Sequence, residues 1–421
     1  MKAKKRVITT GASVPSTKRT PTVRKVKLAW IGPSGASGRS GRPGAKGAGS
    51  AGAGMSGAGM STRGAARGAA RGDPIAALGV GDVAGGASPG HLRASRGGID
   101  PASVDLSVHL GRGLVLENPV MVASGTFGYG VEYGDVVDVD RLGAICCKGT
   151  TLRPRQGNRP PRVTETPGGM LNSIGLQNPG VDAVIERYAA LWAGWRVPVL
   201  VNVAGESIED YVEVVRRLDG VPGIAGVELN ISCPNVGKGG LQFAIEADAA
   251  AAVTRAVRRA TELPLIVKLS PNVADVRPIA KAIADAGADA LSAVNTLSGM
   301  ALRADRTGPF LGNTYGGVSG PAIKPVALRI VYEVAQVVDI PIVAIGGITN
   351  LADVLDYLAA GAVAVQVGTA VFADPTLPVR LVDELRVECA GRGLPAYRPL
   401  IGTALPRRPG APVSRGAEYR P

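Results

Sequence analysis

One feature limits the possible folds more than any other: an alternation that runs through most of the chain. Eight short apolar runs, at 120–123, 144–147, 199–203, 227–231, 265–269, 290–294, 342–345 and 362–367, each end in polar or glycine punctuation. Between them lie longer stretches with apolar residues three and four apart, as at 208–218, 247–260, 276–286, 322–338 and 351–359. The first pattern predicts buried strands and the second helices that pack by one face. Eight such units within about 250 residues predict a parallel (β/α)8 barrel. An open doubly wound sheet is the competing arrangement, but no Gly-x-Gly-x-x-Gly follows the first strand. Ahead of the barrel, Val104 to His109, Gly111-Arg-Gly and Leu114-Val-Leu predict a short hairpin.

Composition divides the 421 residues into three expected parts. Residues 1–98 are dominated by Gly, Ala, Ser, Arg and Pro, a mixture that buries too little apolar surface to offset chain entropy, so a disordered extension is expected. A barrel domain is expected over 99–395 and a disordered tail over 396–421. The formal charge of +13 belongs to the extension: residues 1–99 hold 17 Lys and Arg against 2 Asp and Glu, which leaves the remainder near neutral at 30 against 32. Nothing in the barrel therefore calls for nucleic acid, and no run of ~18 apolar residues predicts a membrane span. Four cysteines without metal-ligand spacing predict neither a bound metal nor a disulfide framework, and fit a reducing, cytoplasmic setting. The two histidines, His91 and His109, both precede the first barrel strand, so acid–base work falls to Cys, Lys, Asp, Glu or water.

A barrel of this type places its chemistry at the C-terminal ends of the strands. Read in order, those ends carry Ser124, then Lys148-Gly149, Asn202, Asn230 with Cys233, Lys268, Asn295-Thr296, Gly346-Gly347 and Gly368-Thr369. Cys233 follows a buried strand through a Cys-Pro turn, with Gly237, Gly239 and Gly240 just beyond, which marks it as the candidate reactive group. The glycines after the last two strands suit a phosphate seat made of backbone N–H groups. Lys148 and Lys268 face the mouth, where an unpaired lysine is costly. A cofactor that carries a phosphate and accumulates negative charge would supply their partner, and FMN does both. Two insertions, 172–180 and 296–320, are expected as binding loops, and their amide side chains suit a small polar ring such as a pyrimidine.

Together, Ala123-Ser-Gly-Thr-Phe-Gly, Lys148-Gly-Thr-Thr, Met170-Leu-Asn-Ser-Ile-Gly-Leu-Gln-Asn-Pro-Gly, Glu228-Leu-Asn-Ile-Ser-Cys-Pro-Asn, Val267-Lys-Leu-Ser-Pro-Asn and Gly316-Gly-Val-Ser-Gly-Pro resemble the dihydroorotate dehydrogenases, and most closely the class 1B, NAD-linked catalytic subunit. The resemblance spans about Leu106 to Pro375. It implies FMN contacts from Ser124, Lys148, Gly149, Asn202, Asn230, Lys268, Val294, Gly320, Gly346, Gly347, Gly368 and Thr369. It implies dihydroorotate contacts from Lys148, Asn172, Ser173, Ile174, Gly175, Leu176, Asn230, Asn295 and Thr296, with Cys233 as general base. The implied reaction is oxidation of (S)-dihydroorotate to orotate in pyrimidine synthesis: the Cys base removes the C5 proton and FMN accepts the C6 hydride. The implied partner is an electron-transfer subunit carrying FAD and a [2Fe–2S] cluster, in a heterotetramer of two catalytic and two electron-transfer chains, with NAD as final acceptor. A fumarate-using class 1A enzyme, a dihydropyrimidine dehydrogenase-type subunit and a basic-tailed nucleic-acid-binding protein are the rival readings.

Overall fold

The computed structural model describes residues 98–231 and 243–406. Its centre is a closed, all-parallel barrel of eight strands: β3 (Val120–Val122), β4 (Ile145–Cys146), β7 (Val199–Val203), β8 (Gly226–Asn230), β9 (Leu265–Leu269), β10 (Ala290–Ala293), β13 (Ile342–Ile345) and β14 (Ala364–Val367), with β14 pairing back onto β3. These are the eight apolar runs, with every boundary within two residues of the expected one. They read as apolar throughout because the barrel interior covers one face and the helices the other, so every residue of β7, β8 and β9 is buried.

The helix Ile208–Leu218 shows why the connecting stretches form and how they serve the mouth. Ser207 caps it by accepting from the Asp210 N–H; Glu209 and Asp210 occupy its positive end, and Arg216 and Arg217 its negative one. Tyr211, Val214, Val215 and Leu218, spaced three and four apart, are the buried face. Tyr211 then donates its phenol O–H to the Asn230 carbonyl at 2.9 Å, so the helix fixes the end of β8. The helix Leu351–Ala359 does the same at the opposite side of the mouth. A reciprocal Asn350–Asp353 cap starts it, and buried Tyr357 donates to the Gly346 carbonyl at 2.6 Å.

The hairpin expected before the barrel is present as β1 (Val108–His109) paired antiparallel with β2 (Val115–Leu116). Its Arg112 reaches Asp289 and Glu262 at the N-terminal ends of β9 and β10, so it plugs the barrel end opposite the mouth. One of the two insertions departs from expectation. Within 296–320, β11 (Leu297–Gly299) and β12 (Gly316–Ser319) join β5 (Val163–Thr166) and β6 (Gly169–Asn172), which run up to the start of the 172–180 loop, in a second sheet of four antiparallel strands in the order β11–β12–β6–β5. Pro167-Gly168 closes a two-residue hairpin between β5 and β6, and the half-buried strands have too few apolar positions for their periodicity to stand out.

The packed body also runs past the expected limit at 395. Tyr397 is buried and donates to the Val363 carbonyl, and Arg398 pairs with Asp105. A single aromatic anchor in an Arg- and Pro-rich stretch was enough to tie the segment down through 406. The Gly/Ala-rich extension and the last fifteen residues lie outside the described residues. No helix among the described residues is long and apolar enough to cross a membrane.

Candidate active site

The C-terminal end of the barrel opens into a cavity walled by strand ends and by the antiparallel sheet. Its floor is polar, which a barrel interior made of branched apolar side chains does not require. The organising group is Glu228, on β8, completely buried. Its Oε1 accepts from Asn202 Nδ2 at 2.7 Å, Cys146 Sγ at 3.1 Å and Lys268 Nζ at 3.3 Å, and its Oε2 from Gln366 Nε2 at 2.9 Å. Burial alone would raise this carboxyl, but the Lys268 ammonium and the hydrogen-bond donors outweigh it and hold it below the usual range. The partner expected of a cofactor is therefore already present for one lysine: Lys268, 4% exposed, is paired by Glu228. Because Glu228 can only accept, Asn202 must turn its NH₂ inward, which leaves its Oδ1 buried in the cavity wall with no partner.

Around the floor, Ser124, Gly149, Asn230 and Val294 line the same cavity, as do Gly320, Gly346, Gly347, Gly368 and Thr369. Gly149 leaves space for a flat group: a Cβ there would stand 3.0 Å from Leu176 and 3.1 Å from Asn202 Oδ1. Gly346 and Gly347 adopt φ of 131° and 70°, which side chains rarely tolerate, and a Cβ on Gly347 would meet Lys324 Cβ at 2.7 Å. The Tyr357 bond holds the Gly346 carbonyl outward; in a planar trans peptide the Gly347 N–H then points the opposite way, into the cavity. On the neighbouring edge Thr369 Oγ1 donates to Ser319 Oγ at 2.7 Å.

The other side of the cavity is the antiparallel sheet. Asn172, Ile174, Gly175 and Leu176 line it, together with Asn295 and Thr296 from β10's end. Asn295 Nδ2 donates to Asn230 Oδ1 at 3.1 Å, leaving the Asn230 NH₂ available to the cavity, and Asn272 bonds both the Thr296 carbonyl and the Ser298 N–H. Leu176 sits at φ 55°, a strained position for a branched residue, and buried Asn178 holds it there by donating to the Leu176 carbonyl at 2.7 Å. Asn178 also bonds both the N–H and the hydroxyl of Thr151 and the Gly180 N–H. Ser173 is the exception among the expected contacts. It is fully buried and off the cavity wall, with Oγ lacking a partner, because alternation along the strand turns it away from the face that Asn172 and Ile174 present. Lys148 lines the cavity and makes no ion pair or side-chain hydrogen bond among the described residues. Burial pushes its pKa down, Glu132 pulls it part of the way back up, and Arg162 pushes it down again.

Ser232, Cys233 and the Gly237–Gly240 hinge lie outside the described residues. Burial raises Cys146 well above its ordinary value, with Glu228 adding to it, and burial pushes Cys147 up to about 12, so neither can serve as a thiolate at neutral pH. Sequence reasoning missed Glu228, Gln366, Asn178 and Tyr357 as parts of the site. Glu228 had a usable signal: a carboxylate inside an apolar parallel strand, two residues before Asn230 and hence on the same inward face. Asn178 lay within the amide-rich 172–180 motif, where nothing marked it off from its neighbours, and Tyr357 had no signal, since it acts through the Gly346 carbonyl eleven residues earlier.

The donor set fits FMN. An unpartnered buried acceptor on Asn202 and the buried Lys268 ammonium line one cavity with Gly149 and the Gly346-Gly347 turn, so an acceptor, a cation, space for a flat group and a backbone N–H are gathered at one site. Among the described residues no cluster of His, Cys, Asp or Glu could hold a metal. A family model described as dihydroorotate dehydrogenase matches residues 107–388. A protein of Geobacter sp. (strain M21), named "Dihydroorotate dehydrogenase B (NAD(+)), catalytic subunit", is 52% identical over 298 residues, 71% of this chain and 97% of its own length. One of the same name from Porphyromonas gingivalis (strain ATCC BAA-308 / W83) is 49% identical over 302 residues, 72% of this chain and 98% of its own.

Proposed function

The chain belongs to the dihydroorotate dehydrogenase family, and from that premise we propose that it is the catalytic subunit of a B-type, NAD-linked enzyme that oxidises (S)-dihydroorotate to orotate with FMN. The observation that carries the reading is the single cavity into which the expected cofactor contacts converge from every strand of the barrel, with the expected substrate residues on its opposite wall. FMN, when bound, supplies the two-electron acceptor that takes the hydride from C6 of the substrate. Ser124, Gly149, Asn202, Lys268 and Val294 would hold its ring system, and Gly320, Gly346, Gly347, Gly368 and Thr369 its phosphate end.

Lys148 is the charged group kept free for the substrate carboxylate. The amides of Asn172, Asn230 and Asn295, with Thr296 and the strained 174–176 backbone, read the ring's N–H and carbonyl edges; Ser173 serves this wall by packing. Cys233, three residues after Asn230 in sequence, takes the C5 proton onto its thiolate as the C6 hydride leaves. An ordinary thiol has a pKa of about 8.5, so turnover rises with pH until Cys233 is ionised. The relatives' name, a catalytic subunit of an NAD(+) enzyme, supports a partner subunit and NAD as the acceptor. In the proposed assembly that partner would carry FAD and a [2Fe–2S] cluster, with two chains of each kind in the cytoplasm.

Anaerobic addition of dihydroorotate to the FMN-loaded chain is expected to bleach the flavin absorbance. In Cys233→Ala the bleaching slows by about two orders of magnitude or more while FMN stays bound. A chain that binds no FMN, or whose flavin responds to dihydrouracil and not to dihydroorotate, overturns the reading. Fumarate reduction by the chain alone would place it with the class 1A enzymes instead.

A further inference from the structure

A buried ion pair is a poor way to stabilise a protein, because desolvation of the two charges offsets much of their attraction, and apolar side chains of similar volume commonly do as well or better. The Glu228–Lys268 pair therefore asks for a reason other than stability. Three observations bear on it. Lys268 Nζ reaches both the carboxylate at 3.3 Å and Ser124 Oγ at 3.4 Å, and its side chain lines the cavity, so the pair sits directly in the floor. The same Oε1 fixes the Asn202 amide with its acceptor toward the cavity. Glu228 itself does not line the cavity and cannot touch a ligand there.

We infer that Glu228 is a positioning residue that acts through Lys268 and Asn202: its charge offsets the Lys268 ammonium at the cavity floor and thereby limits how strongly the site favours the negatively charged, reduced form of the flavin. The inference rests on the FMN reading above and goes one layer deeper into the barrel. An uncompensated ammonium at this depth would bind the reduced form too tightly for electrons to be passed on, since Coulomb energies grow as the local dielectric falls. The carboxylate behind it sets the balance. The lowered pKa of Glu228 supports the charged form that this role needs.

The arrangement offers an unusually clean test. In Glu228→Gln, Oε1 still accepts from Asn202 and Lys268, while the new NH₂ faces Gln366. Gln366 Oε1 is buried without a partner, so that amide can turn over and accept. The charge disappears and the hydrogen bonds remain. The experiment compares wild type with Glu228→Gln loaded with FMN, reading the FMN dissociation constant and the midpoint potential by titration against a redox dye, with far-UV circular dichroism as the control for fold. The ratio of reduced to oxidised flavin at a fixed potential is expected to rise about tenfold in the variant, a shift of about +30 mV for a two-electron couple. Glu228→Asp, which keeps the charge but withdraws it by one methylene, is expected to fall between the two. A folded Glu228→Gln with a wild-type potential overturns the inference and leaves the FMN reading standing. A wild-type chain that takes up no FMN overturns the reading itself. If Glu228→Gln does not fold, Glu228→Asp carries the test, and an unshifted potential in it overturns the inference.

Discussion

Two lysines face the same cavity from barrel strands with β7 and β8 between them, and the protein treats them in opposite ways. Lys268 on β9 has a carboxylate within 3.3 Å and a hydroxyl within 3.4 Å. Lys148, just after β4, has neither; its nearest influences are Glu132, which favours its charge, and Arg162, which opposes it. The charge of Lys268 is matched within the protein, whereas Lys148 has no ion pair among the described residues. A group that must hold a permanent cofactor in one orientation profits from being fixed in advance. A group that must attract and release a small anion on each turnover profits from having no competing partner.

The largest expected effect that could break this comparison is on stability. Lys268→Met strands the Glu228 carboxylate in the barrel, and the FMN-free chain is expected to lose about 3–5 kcal/mol in urea unfolding. Lys148→Met strands nothing and removes a desolvated ammonium, so the same measurement should show no loss and a gain of up to ~1 kcal/mol. Equal losses in the two variants would erase the distinction. Next in size is ligand affinity: Lys148→Met is expected to weaken orotate binding by about 2 kcal/mol, roughly thirtyfold, in difference-spectral titrations of the FMN-loaded chain.

The pH dependence of the two groups sharpens the contrast further. Orotate needs Lys148 protonated, and burial has lowered that pKa, so affinity should be greatest at neutral pH and fall, as pH rises, before an ordinary lysine near 10.5 would begin to titrate. Glu132→Gln removes the charge that counters this lowering and should move the fall to still lower pH, readable in the same titration repeated across pH. Glu228 has the opposite sign. Its folded pKa lies below the ordinary value, so its contribution to stability is in full above about pH 4.5 and is lost only as pH falls through the lowered value. The smallest effect is that of Gln366→Met, which deprives Glu228 Oε2 of its donor and is expected to cost about 1 kcal/mol in Tm or urea midpoint without changing orotate affinity.

Much of this was legible in the chain. The strands β7, β9 and β13 and the helices Ile208–Leu218 and Leu351–Ala359 begin and end where apolar periodicity and capping residues place them, because strong local signals agree with the global fold. The strand-end residues converge for the same reason: parallel strands in one barrel must all end on one side. The strands β11 and β12 were read as a loop, and β5 and β6 went unassigned, because all four are short and partly buried, so few positions show the alternation. Ser173 was placed among ligand contacts as part of a contiguous motif, yet the strand's two-residue period turns it away. The C-terminal limit was drawn at 395 by composition, and one buried tyrosine moved it.

The sequence by itself determined the barrel, the face that carries the chemistry and the residues that gather there, because periodicity, capping and turn chemistry are local and each residue type can do only a few things. Only the tertiary structure decided which groups answer one another. Glu228 meets Lys268 from an adjacent strand, Asn202 from another and Gln366 from across the barrel, and those distances depend on closure of the sheet rather than on spacing along the chain. The state of a charge depends on what surrounds it in space. Two lysines of the same chemistry thus became one paired in the barrel floor and one without an ion pair among the described residues.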